Sequence, residues 1–443
     1  MVWATSKAPR REVFGWAMFD FANQAYTLLI ITVIYGDLFT RVIVGDGGDD
    51  YRLGNLLWST ALALSYLGVV ATAPIFGAVM DYAAAKRRFL FLSYITTVAA
   101  TAALYWVEPG YVVLGFVLIV ISSYAYSMGE AFIAGFLPDI AGPREMGRVS
   151  GLGWSLGYIG GLFATAFTVL VLGEVSEENF DRIRWVGPFA AAFFLICAIP
   201  TFLWLRERGQ ARRLPAGRGY IRLGAERVGR TLRSLGYLRD LAVFMVSLLM
   251  AMSGLAIVIA YAFIYGAQVI GWDERARLIM FVVTQFSAAA GAIGFGLTQD
   301  RFGAKRTYMV TLVMWVVAIL LIWLTPELTE ALNRWLGTQW QAQYVFLAAG
   351  VAAGLALGSC QSAGRTLVGL FAPPGRAAEF FGFWGLATKL AAAGGLVGVG
   401  ALQAAVGLQS AILLCAVLFA GAFLVALGVD EARGRARGQA LVE

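Results

Sequence analysis

Four ionisable side chains interrupt long apolar stretches of this sequence and are the first candidates for chemistry. Asp20, Glu130, Arg365 and Lys389 each lie among residues that are mostly aliphatic, aromatic or small. A charge inside the hydrocarbon layer of a membrane costs about 2.5–3.5 kcal/mol on insertion scales, so such groups usually have a function. At that depth an acid or a base can bind a charged solute, carry a proton or pair with an opposite charge.

Glu130 and Arg365 have equivalent positions relative to a proline. Glu130 lies eight residues before Pro138, and Arg365 lies eight residues before Pro373. At 1.5 Å per helical residue each is about 12 Å from its proline, close to the middle of a bilayer. The spacing therefore predicts an acid and a base at the same depth in two separate helices.

The amino-acid composition limits which residues could carry a proton during transport. The sequence contains no histidine, the side chain whose ordinary pKa suits proton transfer near neutral pH. A proton carrier must then be a carboxylate whose pKa is raised by burial, and Asp20 and Glu130 are the candidates. Asp20 lies only about 7 Å from the predicted start of its helix, so a structural role near the cytoplasmic end is the alternative for this residue.

The elements that must position these groups are membrane helices. Hydrophobic residues make up 60% of the 443 residues and charged residues 14%, whereas soluble domains have roughly 45–50% and about 25%. A spanning helix needs about 20 mostly apolar residues. The hydrophobic pattern predicts an all-α membrane protein with twelve spans, at 15–40, 53–80, 89–107, 111–138, 149–173, 186–205, 241–270, 276–299, 307–325, 341–371, 379–406 and 408–428.

The basic residues indicate the orientation. Most of the 34 Lys and Arg residues fall in loops on one side of the predicted spans, which places both termini in the cytoplasm. Segment 206–240 has ten arginines and divides the chain into an N-terminal half, 1–205, and a C-terminal half, 241–443. We interpret this segment as a solvated tether, with binding of anionic membrane lipid as the alternative. The net charge of +7 thus reflects topology and does not indicate nucleic acid.

Two short loops share one pattern. Each has a glycine, an aspartate four residues later and then a basic cluster; the first runs from Gly77 through Asp81 to Arg88 and the second from Gly296 through Asp300 to Arg306. A small residue allows helices to pack closely, and a carboxylate can face the positive N-terminus of a neighbouring helix. Ordinary positive-inside turns are the alternative interpretation.

The paired loops resemble the signature loop of the major facilitator superfamily. Three further stretches, Trp16 to Tyr26, Leu137 to Gly161 and Gln361 to Gly382, resemble its vacuole effluxer branch, the family of the autophagy-related vacuolar amino-acid exporter and its bacterial relatives. The resemblance extends over about residues 14 to 428 and implies two six-helix pseudo-repeats. The sequence departs from the family at Ala134 and Gly135, where an asparagine is common.

The resemblance also implies a cytoplasmic gate. Asp81 would meet the start of the eleventh helix near 378–382, and Asp300 would meet the start of the fifth helix near 148–151. We expect both aspartates to stabilise the outward-open state, but unequally, because Tyr82 stands where the family usually has a basic residue. The charged residues that we assign to this gate with them are Arg87, Arg148, Arg301, Arg306 and Glu379.

In the implied fold, helices 1, 4, 7 and 10 line a central cavity, so that Glu130 and Arg365 would face each other. We predict that Glu130 binds an ammonium and Arg365 a carboxylate of a zwitterionic substrate. The other predicted substrate-binding residues are Asn23, Gln24, Gln361 and Lys389. A structural ion pair of Arg365 with Glu130 or Asp20, which closes the cavity between substrates, is an alternative that is compatible with this role.

The sequence shows no phosphate-binding loop, nucleophile constellation or metal-ligand cluster, so we expect neither an enzyme nor a cofactor. The expected function is secondary active transport of a small polar or zwitterionic solute, amino-acid-like and exported, by a monomer in a bacterial cytoplasmic membrane. Its expected partners are the substrate, membrane lipids and, if transport is coupled, protons. An exporter of amphipathic compounds and a transport-dead sensor or scaffold are the alternatives.

Overall fold

The computed structural model describes residues 8–46, 51–173, 175–214 and 219–441, and these residues form helices and connecting loops with no strand. Eleven helical segments are long and apolar enough to cross a membrane, and the 26-residue helix Met146–Val171 is the twelfth long helix. The predicted all-α fold with twelve membrane helices is confirmed. In chain order they are α1 Arg10–Val44, α2 Arg52–Ala83, α3 Lys86–Trp106, α4 Val112–Ile140, α5 Met146–Val171, α6 Phe180–Trp204, α7 Arg239–Ile270, α8 Glu274–Phe302, α9 Ala304–Trp323, α10 Ala342–Phe371, α11 Ala377–Val406 and α12 Leu408–Leu427.

The chain forms two compact units. The first consists of Met1–Gly142, Leu156–Thr231 and Pro374–Leu386, and the second of Pro143–Ser155, Leu232–Pro373 and Ala387–Glu443. The first unit therefore contains the start of α11, and the second contains the start of α5. Lys7, one of the basic residues predicted to be cytoplasmic, lies outside the described residues.

The first unit has an apolar core in which α1 packs with α2, α4, α5 and α6. Helix α1 is α-helical to Ala25 and then follows a π-helix over Tyr26–Val33. Such wider turns are rare and often lie at functional sites. Here the π-helix begins with Tyr26 and Thr27, whose hydroxyls contact α4.

Helix α1 begins at Arg10, five residues earlier than predicted. Glu12 in its first turn is 1% exposed, and it accepts hydrogen bonds from Arg206 N at 3.1 Å and from Arg208 at 2.5 and 2.7 Å. These donors satisfy the carboxylate, so the helix extends beyond the apolar run. The predicted distance of Asp20 from the start of its helix is corrected as a result: the residue lies ten positions into α1, about 15 Å from the helix start rather than about 7 Å.

The second unit has the same arrangement at its first helix. Asp240, in the first turn of α7, is fully buried. It accepts Asp430 N at 2.8 Å and two guanidinium nitrogens of Arg433 at 2.7 Å each. We call Glu12–Arg208 and Asp240–Arg433 the terminal ion pairs. Hydrogen bonds that the arginines donate to these carboxylates raise the pKa of Arg208 and Arg433, as expected for bidentate charge-assisted contacts.

The Arg-rich segment contains a helix, Tyr220–Arg233, that we call the linker helix. Leu223, Gly224, Arg227 and Thr231 are buried, and their spacing places them on one face of the helix. The interpretation of this segment as a solvated tether is therefore wrong for this helix. Composition could not reveal this, because the groups that bury Arg227 lie far away in the sequence.

Close helix packing in the second unit gives a first testable prediction. A Cβ atom at Gly358 of α10 would lie 1.9 Å from Ala288 O of α8, whereas a Cβ at Gly294 of α8 would meet nothing within 4 Å. We expect Gly358→Ala to destabilise the protein by about 1–3 kcal/mol, because α10 must move away from α8. The midpoint of thermal unfolding in detergent would measure the loss. Gly294→Ala is the matched control, and an equal midpoint for the two variants would contradict the prediction.

Candidate functional site

The carboxylate of Glu130 is held by a chain of hydroxyls in the first unit. Tyr126, one turn earlier on α4, donates to Glu130 Oε1 at 2.9 Å. Its oxygen lies 2.6 Å from Thr27 Oγ1 of α1, and since the phenol has one proton, Thr27 is then the donor to Tyr126. Tyr26 stacks on Tyr126 with ring centroids 4.7 Å apart. Glu130 is half-buried, and the hydrogen bond from Tyr126 orients its carboxylate.

The other predicted residues of the first unit lie on α1. Asp20 and Asn23 are buried, at 8% and 3% exposure. Gln24 is half-buried, and its Cγ lies 3.3 Å from the position that a Cβ of Gly157 would occupy on α5. The structure thus places Gln24 against α5, while Asp20 and Asn23 lie in the interior of the unit.

Arg365 lies in the second unit and is bound to the start of α5. Its side chain is 2% exposed. Nε donates to Ser150 Oγ at 3.1 Å and Nη2 donates to Ser150 O at 2.7 Å, and the guanidinium lies 5.1 Å from the ring centroid of Trp154. Sequence reasoning missed Ser150 and Trp154 as partners, although both belong to the quoted stretch across α4 and α5. Gln361, one turn before Arg365, and Lys389 of α11 are half-buried.

Asp81 meets the start of α11 in the first unit, as the resemblance implied. Its Oδ2 accepts Glu379 N at 2.8 Å, and a Cβ at Gly77 would lie 2.2 Å from Ala378 O. The glycine therefore permits the contact, and the aspartate satisfies an amide in the first turn of the helix, where intrahelical partners are missing. The carboxylate also complements the positive end of the helix dipole.

A buried lysine accompanies Asp81. Lys86 Nζ lies 3.3 Å from Asp81 Oδ1 and 3.0 Å from Asp139 Oδ2, and it donates to Gly135 O at 3.2 Å. The predicted basic partner, Arg87, is placed elsewhere: its guanidinium donates to Phe202 O, and its backbone N–H donates to Glu207 at 2.9 Å. The sequence could not decide which member of the basic cluster turns inward. Lys86 thus supplies a positive charge in the loop where Tyr82 replaces the usual basic residue.

Asp300 makes the corresponding contact in the second unit. Oδ1 accepts Gly147 N at 2.8 Å and Oδ2 accepts Arg148 N at 3.0 Å, both in the first turn of α5. The Arg148 side chain bonds to Glu145 at 3.0 Å instead. The remaining predicted basic residues of this loop, Arg301 and Arg306, are exposed. Both aspartates therefore cap the N-terminus of a long helix, and Asp300 caps two amides.

Comparisons with known proteins give matches over most of the chain. A family profile described as "Vacuole effluxer Atg22 like" matches residues 57–147 and 144–439. The uncharacterized MFS-type transporter YxiO of Bacillus subtilis is 24% identical over 383 residues, which cover 85% of each chain. Autophagy-related protein 22-1 of Emericella nidulans is 24% identical over 305 residues, 67% of this chain and 52% of that protein. The alignment thus spans about half the length of this fungal relative.

Solved structures share the fold. The human organic anion transporter MFSD10 superposes with a TM-score of 0.72 at 15% identity, covering 94% of this chain and 99% of that one. The proton:xylose symporter XylE also superposes with a TM-score of 0.72, at 13% identity, covering 96% and 97% of the two chains. At such low identity these likenesses concern the fold alone.

Proposed function

Since the chain belongs to the vacuole effluxer family of major facilitator transporters, we propose that it exports a small polar or zwitterionic solute, amino-acid-like, by alternating access. The observation that carries this proposal is the pair Glu130 and Arg365. Each is a charged group in a membrane helix, at an equivalent position of the repeat, and each is oriented by hydroxyl groups of its own unit. A free amino acid carries the complementary ammonium and carboxylate.

In the proposed cycle Arg365 has two roles. It holds the start of α5 through Ser150, and a substrate carboxylate competes for the same guanidinium. Substrate binding at Arg365 is thereby coupled to the position of α5, which is the kind of differential contact that alternating access requires.

Asp81 and Asp300 are the proposed cytoplasmic gate. While each caps its helix, the starts of α11 and α5 stay on the loops that follow α2 and α8. Release of both contacts would open the cytoplasmic side as the sequence halves 1–205 and 241–443 rock about the site. The proposed setting is a bacterial cytoplasmic membrane with both termini inside and the protein monomeric. Asp20 and Glu130 are the proposed proton carriers.

A ligand screen tests the substrate class without assuming a direction of transport. Purified protein would be heated with amino acids, dipeptides, lysolipids and inorganic cations, because a ligand that binds the folded state raises its apparent stability. We expect free amino acids at about 100 times their Kd to add about 2.7 kcal/mol of stability. The controls are the corresponding amine without a carboxylate and the corresponding carboxylic acid without an ammonium. Stabilisation by lysolipids alone would favour an exporter of amphipathic compounds and contradict the proposal.

A further inference from the structure

The linker helix contacts the residue that joins α11 to Asp81. Arg227 Nε of the linker helix lies 3.8 Å from Glu379 Oε2, and Thr231 Oγ1 donates to Glu379 Oε1. The exposed fractions of these side chains are 2%, 1% and 0% for Arg227, Thr231 and Glu379. The same Glu379 donates its backbone N–H to Asp81 at 2.8 Å. One residue therefore links the gate to the linker helix.

Arg376 completes this cluster. Its Nε donates to Glu379 Oε2 at 3.1 Å and its Nη2 to Glu379 Oε1 at 2.8 Å; Nη2 also donates to Thr231 Oγ1. Two guanidinium groups thus face one carboxylate in a site that water barely reaches. Burial lowers the pKa of Arg227, while the charge of Glu379 opposes that shift. A buried charge is stable only with its partner in place, so separation of Arg227 from Glu379 is costly.

The same face of the linker helix also contacts the end of α2. A Cβ at Gly224 would lie 2.8 Å from Ile75 O and 2.9 Å from Val79 Cγ2, so the two backbones are in close contact. The guanidinium of Arg227 lies 5.7 Å from the ring centroid of Tyr82. The helix consequently bridges α2 and α11 on the two sides of the Asp81 contact.

We propose that the linker helix is a latch on the cytoplasmic gate, in which Arg227 and Thr231 are positioning residues that act through Glu379. They hold the first turn of α11 so that its amide stays on Asp81. Opening of this gate then requires the linker helix to leave either α11 or α2. This inference rests on the proposed alternating-access function, and it assigns the central segment a part in the cycle beyond joining two halves.

Hydrogen–deuterium exchange of the full-length protein in detergent tests the latch without any solute. Glu379 N lies in the first turn of α11, where Asp81 is its acceptor, so exchange in peptide 374–386 reports whether the contact is closed. We expect Arg227→Gln and Thr231→Val each to speed exchange in this peptide at least tenfold. Peptide 143–155, at the other gate contact, should not change, and Arg227→Lys should restore part of the protection.

Arg230→Gln is the matched control, since Arg230 is exposed on the same helix. If Arg227→Gln and Thr231→Val exchange like this control, the latch is refuted. Thr231→Val replaces the hydroxyl with a methyl group of similar size, so it decides between the outcomes if Arg227→Gln does not fold. Asp81→Asn separates the two proposals. If exchange is fast in Asp81→Asn but normal in the linker variants, the gate is supported and the latch is refuted. If exchange is normal in all of these variants, the gate itself is refuted.

Discussion

Efflux of radiolabelled amino acids from proteoliposomes is expected to fall at least tenfold when Glu130 or Arg365 is replaced with glutamine. Each substitution removes a charge that would pair with the substrate in a poorly solvated site. A hydrogen bond to a charged group contributes about 1.5–3 kcal/mol, which corresponds to roughly a 10- to 150-fold change in affinity. Glutamine at position 130 keeps an oxygen that can accept the hydrogen bond of Tyr126, so the fold of this region should be preserved.

Two variants separate binding by Arg365 from its structural contact. Ser150→Ala removes the hydroxyl that accepts Arg365 Nε but leaves the guanidinium, so substrate affinity should be kept or raised, because a contact that competes with the substrate is lost. Arg365→Lys keeps the charge but loses the fork geometry and should have an intermediate defect. Glu108→Gln, at an exposed carboxylate, is the control for loss of a surface charge. If Glu130→Gln and Arg365→Gln both transport every tested solute normally, the site assignment fails.

The same vesicles test proton coupling. An imposed pH gradient should drive wild-type transport, and Asp20→Asn or Glu130→Gln should abolish that drive if the carboxylate carries the proton. Transport that is indifferent to the gradient would exclude a proton role for both residues.

The second large effect is expected at the gate. Asp81→Asn should speed amide exchange in peptide 374–386 by about 10- to 150-fold, because a charge-assisted hydrogen bond to the first turn of α11 is lost. Asp300→Asn should act in the same direction on peptide 143–155. We expect the larger change for Asp81, because its side chain is 1% exposed and it shares the buried Lys86 with Asp139. Removing one partner of a buried pair is strongly destabilising.

The exposed Asp181, whose side chain is fully accessible, provides the control substitution Asp181→Asn. If Asp81→Asn and Asp300→Asn accelerated exchange equally in their respective gate peptides, the sequence difference between the two loops would have no effect on the gate. The fold would be unaffected by that outcome. Acceleration at a remote peptide as well would indicate general loosening rather than opening of a gate.

The contrast between the two loops illustrates what the sequence could predict. The spacing of glycine and aspartate implied, with the family resemblance, where Asp81 and Asp300 make contact, because helix ends have a fixed need for acceptors. It could not show that Lys86 rather than Arg87 turns inward. That choice depends on Asp139 and Gly135 O, which only the folded chain brings to this place.

The linker helix shows the same limit more strongly. Ten arginines in segment 206–240 indicated a cytoplasmic, solvated stretch. The burial of Arg227 depends on Glu379, a residue of the other sequence half. No local sequence pattern identifies such a pair, because an arginine at any position of that helix face would fit the helical spacing equally well. The length of α1 was missed for a similar reason, since the donor to Glu12 is Arg208.

The terminal ion pairs also set an order for biosynthesis. Glu12 and Arg208 are 196 residues apart in the chain, and Asp240 and Arg433 are 193 apart. At about 5–20 residues per second, a ribosome delivers each arginine roughly 10–40 s after its carboxylate. Throughout that interval the first helix of each half carries an acid without its base. Each carboxylate can therefore pair only after all six helices of its half have been synthesised, and Glu12 can pair while the second half is still being inserted.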